Sequence, residues 1–267
     1  MVESFKTALR ESNMAENTIS AYIYAVNDYF SKHKTLNKRN LLLYKANIIE
    51  QFRPKTVNLR IQALNKFLEH VGKPKLRLKS VKVQQRSYLE NVISQADYIF
   101  FKKKLKQEEN LMWYFVVRFL TATGARVSEL IQIKVEHVRI GYFDIYSKGG
   151  KVRRLFIPRR LRDEAEKWFE ETQQTTGYIF RNRFGERITT RGIAQQLKNY
   201  AERYGLNANV VYPHSFRHRY AKNFLEAFND IALLADLMGH ESIETTRIYL
   251  RRTASEQQAI VDKVITW

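Results

Sequence analysis

Tyr142-Phe143-Asp144-Ile145-Tyr146-Ser147-Lys148-Gly149-Gly150-Lys151-Val152-Arg153-Arg154-Leu155-Phe156-Ile157-Pro158 decides the architecture, because it carries the strong β signal in a chain otherwise patterned for helices. Two short runs rich in aromatic and β-branched residues, Tyr142 to Ser147 and Val152 to Ile157, flank Gly149-Gly150. A Gly pair adopts positive φ at no steric cost and so suits a tight hairpin. Pro158, which has no backbone N–H, ends the second run. His137 to Ile140, another short run with β-branched residues, reads as a strand on the same grounds. The expected class is mainly α with a small antiparallel β-sheet.

Outward from the hairpin, apolar residues recur at helical spacing. Towards the C-terminus the expected helices are Leu161 to Thr172, Thr190 to Tyr204, His214 to Phe228, Ile231 to Met238 and a short one around Thr245 to Leu250. Towards the N-terminus they are Leu111 to Thr123, stopped by Gly124, and Gln95 to Leu105. Residues 1–82 read as a separate small helical bundle. Thr18 is placed to cap a helix with the apolar face Ile19, Tyr22, Ile23, Val26 and Phe30. A second stripe, Val57, Ile61, Leu64, Leu68 and Val71, opens after Pro54 and ends near Gly72, and a shorter pattern over Thr35 to Ile49 centres on Leu41, Leu42 and Leu43. From Lys73 to Arg86 the apolar period fails and Lys75, Arg77, Lys79, Lys82 and Arg86 accumulate, which reads as a basic linker reaching about residue 90. A second domain then covers 91–267.

Composition narrows the function. The 267 residues contain 46 Lys and Arg against 27 Asp and Glu, a net charge of +19. Such a chain attracts polyanions, DNA above all. The excess is spread out: residues 1–82 hold 16 Lys and Arg against 6 Asp and Glu. Both halves can therefore meet phosphate, as in a clamp, and the basic linker would lie along the duplex. Apolar residues at 44% exclude global disorder. The absence of cysteine removes disulfides, thiolate nucleophiles and Cys-ligated zinc, and suits a reducing cytoplasm. No apolar run approaches the roughly 20 residues of a membrane span, and Met1 to Arg10 is mixed and polar, unlike a signal peptide.

Four stretches offer groups that phosphoryl transfer needs. Thr123-Gly124-Ala125-Arg126-Val127-Ser128-Glu129-Leu130 sets an arginine just past a helix break. Lys148 adjoins the Gly149-Gly150 turn. His214-Ser215-Phe216-Arg217-His218 puts a His and an Arg at i, i+3 on one helix face. Gly239-His240 precedes Tyr249 by a short helix. Breaking a phosphodiester without a metal builds charge on the non-bridging oxygens, which two bidentate guanidiniums clamp well. The attacking oxygen must lose a proton, a task for His, and the departing 5′ oxygen must gain one, a task for Lys. A tyrosine phenol serves as nucleophile and conserves the bond energy in an ester. Each residue alone has a plainer reading: a turn lysine, a packed helix tyrosine, an ordinary helix C-cap. His214 and His218, four apart, lack the intervening Glu of a metalloprotease helix.

In order and wording the four stretches resemble the phage-integrase family of tyrosine recombinases. That family's Thr-Gly-Leu-Arg-x-Ser-Glu-Leu is matched by residues 123–130, its Gly/Ser-Lys-Gly-x-Lys hairpin by 147–151, and its His-x-Leu-Arg-His by 214–218 with Phe216 for Leu. Its Leu-Gly-His followed nine residues on by Tyr is matched by Met238-Gly239-His240 and Tyr249. The resemblance implies an N-terminal helical core-binding (SAM-like) bundle and a C-terminal catalytic domain that needs no metal or other cofactor. It implies that Arg126 and Arg217 bind the scissile phosphate, Lys148 protonates the leaving 5′ oxygen with Lys151 able to swap roles, His214 handles the tyrosine proton, His240 hydrogen-bonds the phosphate, and Tyr249 forms a 3′-phosphotyrosine link. Glu129 reads as support for Arg126, Lys151 as a further DNA contact and His218 as structural.

The apolar tail beyond Arg252, with Ala259, Ile260, Val264 and Trp267, needs something to bury against. The resemblance suggests that it docks on a neighbouring subunit in a homo-tetramer around two double-stranded DNA segments, with accessory or partner recombinases left open. The length suits a minimal two-domain enzyme of dimer resolution, inversion or mobile-element integration, without an arm-binding domain. The rivals are a type IB topoisomerase-like nicking-closing enzyme and a catalytically silent accessory protein. The second would be marked by a missing catalytic residue, and none is missing.

Overall fold

The computed structural model describes residues 1–83, 92–146, 152–240, 242–250 and 254–265, and it divides into two compact units, Met1–Gln85 and Arg86–Trp267. The first unit is a bundle of α1 (Val2–Glu11), α2 (Glu16–Lys32), α3 (Lys38–Gln51) and α4 (Pro54–His70). Its core joins Phe5 and Leu9 of α1 to Ile19, Val26 and Tyr29 of α2, Tyr44 and Ile48 of α3, and Ile61, Leu64 and Phe67 of α4. Each such side chain contributes about 1.5–3 kcal/mol by leaving water. Periodicity does not announce α1, whose buried residues are just the i, i+4 pair Phe5 and Leu9. Thr18 is not the cap of α2: the helix starts at Glu16 after Ala15, and Thr18 lies inside its first turn. In α3 the buried stripe is Leu41, Tyr44 and Ile48, while Leu42 and Leu43 are exposed. A buried cation anchors the bundle: Arg60 donates to Asp28 at 2.5 Å, Tyr44 donates to the same carboxylate at 2.7 Å, and the guanidinium lies 4.1 Å from the Phe52 ring.

Residues 73–83, expected as part of a linker, are instead a strap laid along this bundle. After a 3₁₀ turn (Pro74–Leu76), Leu78 enters the core at 4% exposure, with Leu76 and Val81 packed beside it. Two asparagine side chains clamp its backbone. Asn65 accepts from the Leu78 N–H at 2.8 Å and donates to its carbonyl at 2.9 Å, and Asn58 does the same for Val81 at 2.8 and 3.0 Å. Lys45 donates to the Lys79 carbonyl at 2.7 Å. The side chains of Lys75, Arg77, Lys79 and Lys82 remain exposed, with Arg77 3.1 Å from Glu69.

The second unit is built around α6 (Leu111–Thr123), apolar nearly all round and correspondingly buried. α5 (Gln95–Gln107), α9 (Arg159–Glu171) and α11 (Pro213–Ala227) pack on it, and α10 (Thr190–Arg203) packs on α11. The expected hairpin forms as β1 (Tyr142–Tyr146) and β2 (Val152–Phe156), antiparallel with Tyr142 opposite Phe156 and Ile145 opposite Arg153. The Gly149-Gly150 turn lies outside the described residues.

His137–Ile140 is not a strand. It belongs to helix α8 (Val135–Ile140), which buries Val135 and Val138 at helical spacing and closes on Gly141 at φ +90°. Here the tertiary contacts of two valines override their β propensity. The remaining elements are the single turn α7 (Val127–Leu130), then α12 (Ile231–Met238), α13 (Ile243–Arg247), a 3₁₀ turn (Ile248–Leu250) and α14 (Ala254–Val264). Among the described residues no helix is long and apolar enough to cross a membrane.

Candidate active site

Arg217 on α11 is the centre of the site. It is 1% exposed, so its charge must be met inside the protein. Nη1 donates to the Gly124 carbonyl, while Nη2 donates to the Met238 carbonyl at 2.7 Å and to His240 Nε2 at 3.1 Å. Gly124 caps α6 and Met238 ends α12, so both acceptors are carbonyls that a helix end leaves unpaired, at its negative pole. Burial, reinforced by neighbouring Arg126, lowers the Arg217 pKa to about 10, which leaves it charged at neutral pH. Gly124 holds φ +64°, and a Cβ there would meet the Tyr220 ring at 2.4 Å. The break that ends α6 is therefore the one that presents its carbonyl to Arg217.

Arg126 opens α7 directly after that break. Its side chain, 43% exposed, donates to Glu129 Oε1 at 2.8 Å and to the Gly239 carbonyl at 3.1 Å. The Arg126 backbone N–H donates to Glu129 Oε2 at 2.7 Å, and Arg153 Nη2 meets the same oxygen at 2.5 Å. Burial alone would raise the Glu129 carboxyl, but Arg153 and Arg126 hold it below the usual carboxylate range. Glu129 is thus an ionised, fully engaged brace for the arginine beside it.

His240 follows Gly239, the left-handed cap of α12 at φ +62°. A guanidinium only donates, so Nε2 accepts from Arg217, and Nδ1–H donates to Thr246 Oγ1 at 2.8 Å. Burial, with Arg217 and Arg126 adding repulsion, lowers its pKa to about 4. Tyr249, in the 3₁₀ turn, is 4% exposed and packs in a small core with Ala221, Leu225, Leu234 and Met238. Its ring lies parallel to that of His240 at 6.1 Å and tilted against His218 at 5.2 Å. Burial pushes the phenol above its ordinary pKa, while Arg217 and then Arg126 pull it back towards the anion.

His214 sits at the start of α11, its ring 4.4 Å from that of His218, and burial followed by Arg217 lowers its pKa. His218 is buried, its Nδ1 has no hydrogen-bond partner among the described residues, and its pKa falls to about 3 through burial and then the charge of His214. These shifts fix a stability profile. In the unfolded chain each imidazole titrates near 6.5, whereas the folded protein keeps His240 neutral to about 4 and His218 to about 3. The unfolded state binds more protons across that window, so stability is full above about 6.5 and is lost as pH falls towards 4 and below. Thermal melts from pH 7 to 4 should show a falling Tm, and His218→Asn should flatten the fall.

The fold therefore brings together Arg126, Glu129, Arg217, His240 and Tyr249, with His214 one turn before Arg217. Lys148, Lys151 and Arg86 lie outside the described residues. Lys75, Arg77, Lys79 and Lys82 belong to the first unit. A cleft of about 1020 Å³ opens beside the cluster, lined by Arg126, Glu129, Arg153 and His240 and, on its apolar wall, by Val152 and Leu233. Arg153 and Thr246 are site residues that the sequence reading missed. Thr246, with no exposure, carries no signal in sequence. Arg153 does: it shares a strand face with buried Leu155, and an arginine on a buried face must have partners.

Comparison with known proteins places the chain in a family. The chain is 28% identical over 275 residues to the tyrosine recombinase XerA of Pyrococcus furiosus, covering 98% of this chain and 93% of the relative. Its fold matches the XerH site-specific recombinase bound to a palindromic difH substrate, with a TM-score of 0.73 at 18% identity over 100% of this chain and 85% of that one. It also matches the Tn1549 transposon integrase in complex with transposon right end DNA, with a TM-score of 0.72 at 13% identity and 98% of each chain covered. Residues 89–256 match the model of the phage integrase family, and the chain belongs to that family of tyrosine recombinases.

Proposed function

We propose that this protein is a site-specific DNA recombinase that breaks and rejoins strands through a covalent bond to Tyr249. The observation that carries the reading is a buried phenol held among Arg217, Arg126 and His240, a pocket built for an oxyanion and a phosphate together. Tyr249 Oη forms a bond to the scissile phosphorus as the bond to the 5′ oxygen breaks. The phenol proton passes to His214, and the 5′ oxygen takes its proton from Lys148 or Lys151. Arg126 and Arg217 hold the non-bridging oxygens. For His240 to donate to the phosphate, its proton must sit on Nε2, the nitrogen that here accepts from Arg217. A phosphate drawing Arg217 to itself would free that nitrogen. Attack by the 5′ hydroxyl of a second strand reverses the step, restores the phenol, and leads through a Holliday junction.

DNA as the partner is supported by the net charge of +19 and by the relatives solved on DNA. The N-terminal bundle contributes DNA contacts of its own: Lys75, Arg77, Lys79 and Lys82, exposed on the strap, would meet phosphate, and Arg86 is assigned the same role from its sequence position. A homo-tetramer is supported by α14, whose Val261 and Val264 are half exposed, as is Ile265 just beyond it. Such a helix is suited to burial on a neighbouring protomer. The test is a nicked substrate whose cleaved end diffuses away, incubated with the protein in EDTA and resolved on a denaturing gel. A slow-migrating adduct that requires Tyr249 supports the reading; a strict need for added metal overturns it.

A further inference from the structure

Two adjacent arginines of β2 do opposite things. Arg154 points outward and pairs with Asp144 across the hairpin, at 2.8 Å through both Nε and Nη2. Arg153 points inward, with its side chain 11% exposed, and meets two partners from different parts of the chain. Nη2 contacts Glu129 Oε2 at 2.5 Å, and Nη1 donates to the Leu237 carbonyl at 2.7 Å. Its stem passes so close to Gly239 that a Cβ there would sit 2.4 Å from Arg153 Cδ. Gly239 is therefore glycine for two reasons, its positive φ and the passage of Arg153. The circuit closes through Arg126, which donates to both Glu129 and the Gly239 carbonyl.

Glu129 is the pivot of this circuit. It faces two guanidiniums, and what it gives to one it withholds from the other. With Arg153 in place, one carboxylate oxygen is shared between Arg153 and the Arg126 backbone, and the other is left to the Arg126 side chain. Without Arg153, a buried carboxylate would have Arg126 as its one cationic partner among the described residues and would draw that guanidinium inward, away from a substrate.

We propose that Arg153 is a positioning residue for strand cleavage: by sharing Glu129 and pinning the end of α12, it keeps the Arg126 guanidinium free to take the scissile phosphate. This rests on the reading of the site given above. Arg153 touches no reacting atom and acts through Glu129.

The test compares Arg153→Gln with wild type on two nicked substrates, one with the ordinary phosphate and one with a methylphosphonate at the scissile position. The methylphosphonate bears no negative charge and so has little need of the arginine clamp. The expected result is unchanged DNA binding and adduct formation slowed about 10- to 100-fold on the phosphate, the range seen when a group orienting an active-site ligand is removed. On the methylphosphonate the gap to wild type should close. The double variant Arg153→Gln/Glu129→Gln should be no slower than the worse single variant, because the two residues act as one unit. Arg153→Lys guards against a folding failure. It keeps a charge beside Glu129, yet one ammonium cannot reproduce the two-pronged bridge, so the same substrate-dependent defect should appear.

Equal slowing on both substrates, or additive losses in the double variant, would overturn the proposal. Recovery on a 5′-bridging phosphorothioate, whose leaving group needs no proton, would overturn it too, by moving the effect to the leaving-group acid. Failure of wild type to form any Tyr249-dependent adduct would bring down the functional reading itself, and this proposal with it.

Discussion

Tyr249→Phe is expected to bind DNA as the wild type does and to form no covalent adduct, a loss of more than about 10⁴-fold, the scale seen when the nucleophile of a covalent mechanism is removed. The substitution takes away one oxygen and leaves the ring that packs against His240 and His218. Stability should therefore change by about 1 kcal/mol or less. That separation makes the experiment clean, because a misfolded variant would lose binding as well. Adduct persisting in Tyr249→Phe would move the nucleophile to another of the 15 tyrosines. Running both proteins in EDTA answers the metal question in the same lanes.

Arg217→Lys should fail in two measurable ways. The buried guanidinium satisfies the carbonyls of Gly124 and Met238 and meets His240 Nε2. A lysine ammonium keeps the charge but cannot span acceptors that lie at the ends of two different helices. At least one buried carbonyl is left without a donor, at a cost of about 1–3 kcal/mol, visible in denaturant melts. Cleavage should fall further than stability explains, by about 10²–10³-fold, because on the proposed mechanism a preorganised donor to the phosphate has gone. The decisive comparison is made well below the melting temperature, where the variant is folded. Cleavage retained to within the fraction folded would reduce Arg217 to a structural arginine.

The hairpin and most of the helices were legible because each leaves a periodic trace: α6 and α12 coincide with their apolar runs, and Gly124 and Gly239 mark their ends. The site was legible for a different reason. Arg126, Arg217, His240 and Tyr249 sit at or just beyond helix ends or one turn into a helix, so short ordered wording accompanies each of them. What escaped lacks such a trace. The strap is held by Asn58 and Asn65, whose side chains pair with a backbone segment 13 to 23 residues away, and no apolar period reports such a contact. α8 was misread because four residues of mixed character fit a strand as well as a turn of helix until Val135 and Val138 are seen to share a buried side. Arg153 was passed over beside Arg154, since identical neighbours look equivalent until strand alternation separates their faces.

The strap bears on how this chain meets a trypsin-like protease. Such an enzyme cuts after Lys and Arg, of which there are 46, and needs several residues of loose, extended backbone around the bond. Around Arg77 and Lys79 the backbone is spoken for by Asn65, Lys45 and Asn58, and Leu78 between them is seated in the core. Those two basic bonds become cleavable when the strap peels away, so the rate of nicking there reports how often the bundle lets go of residues 73–83.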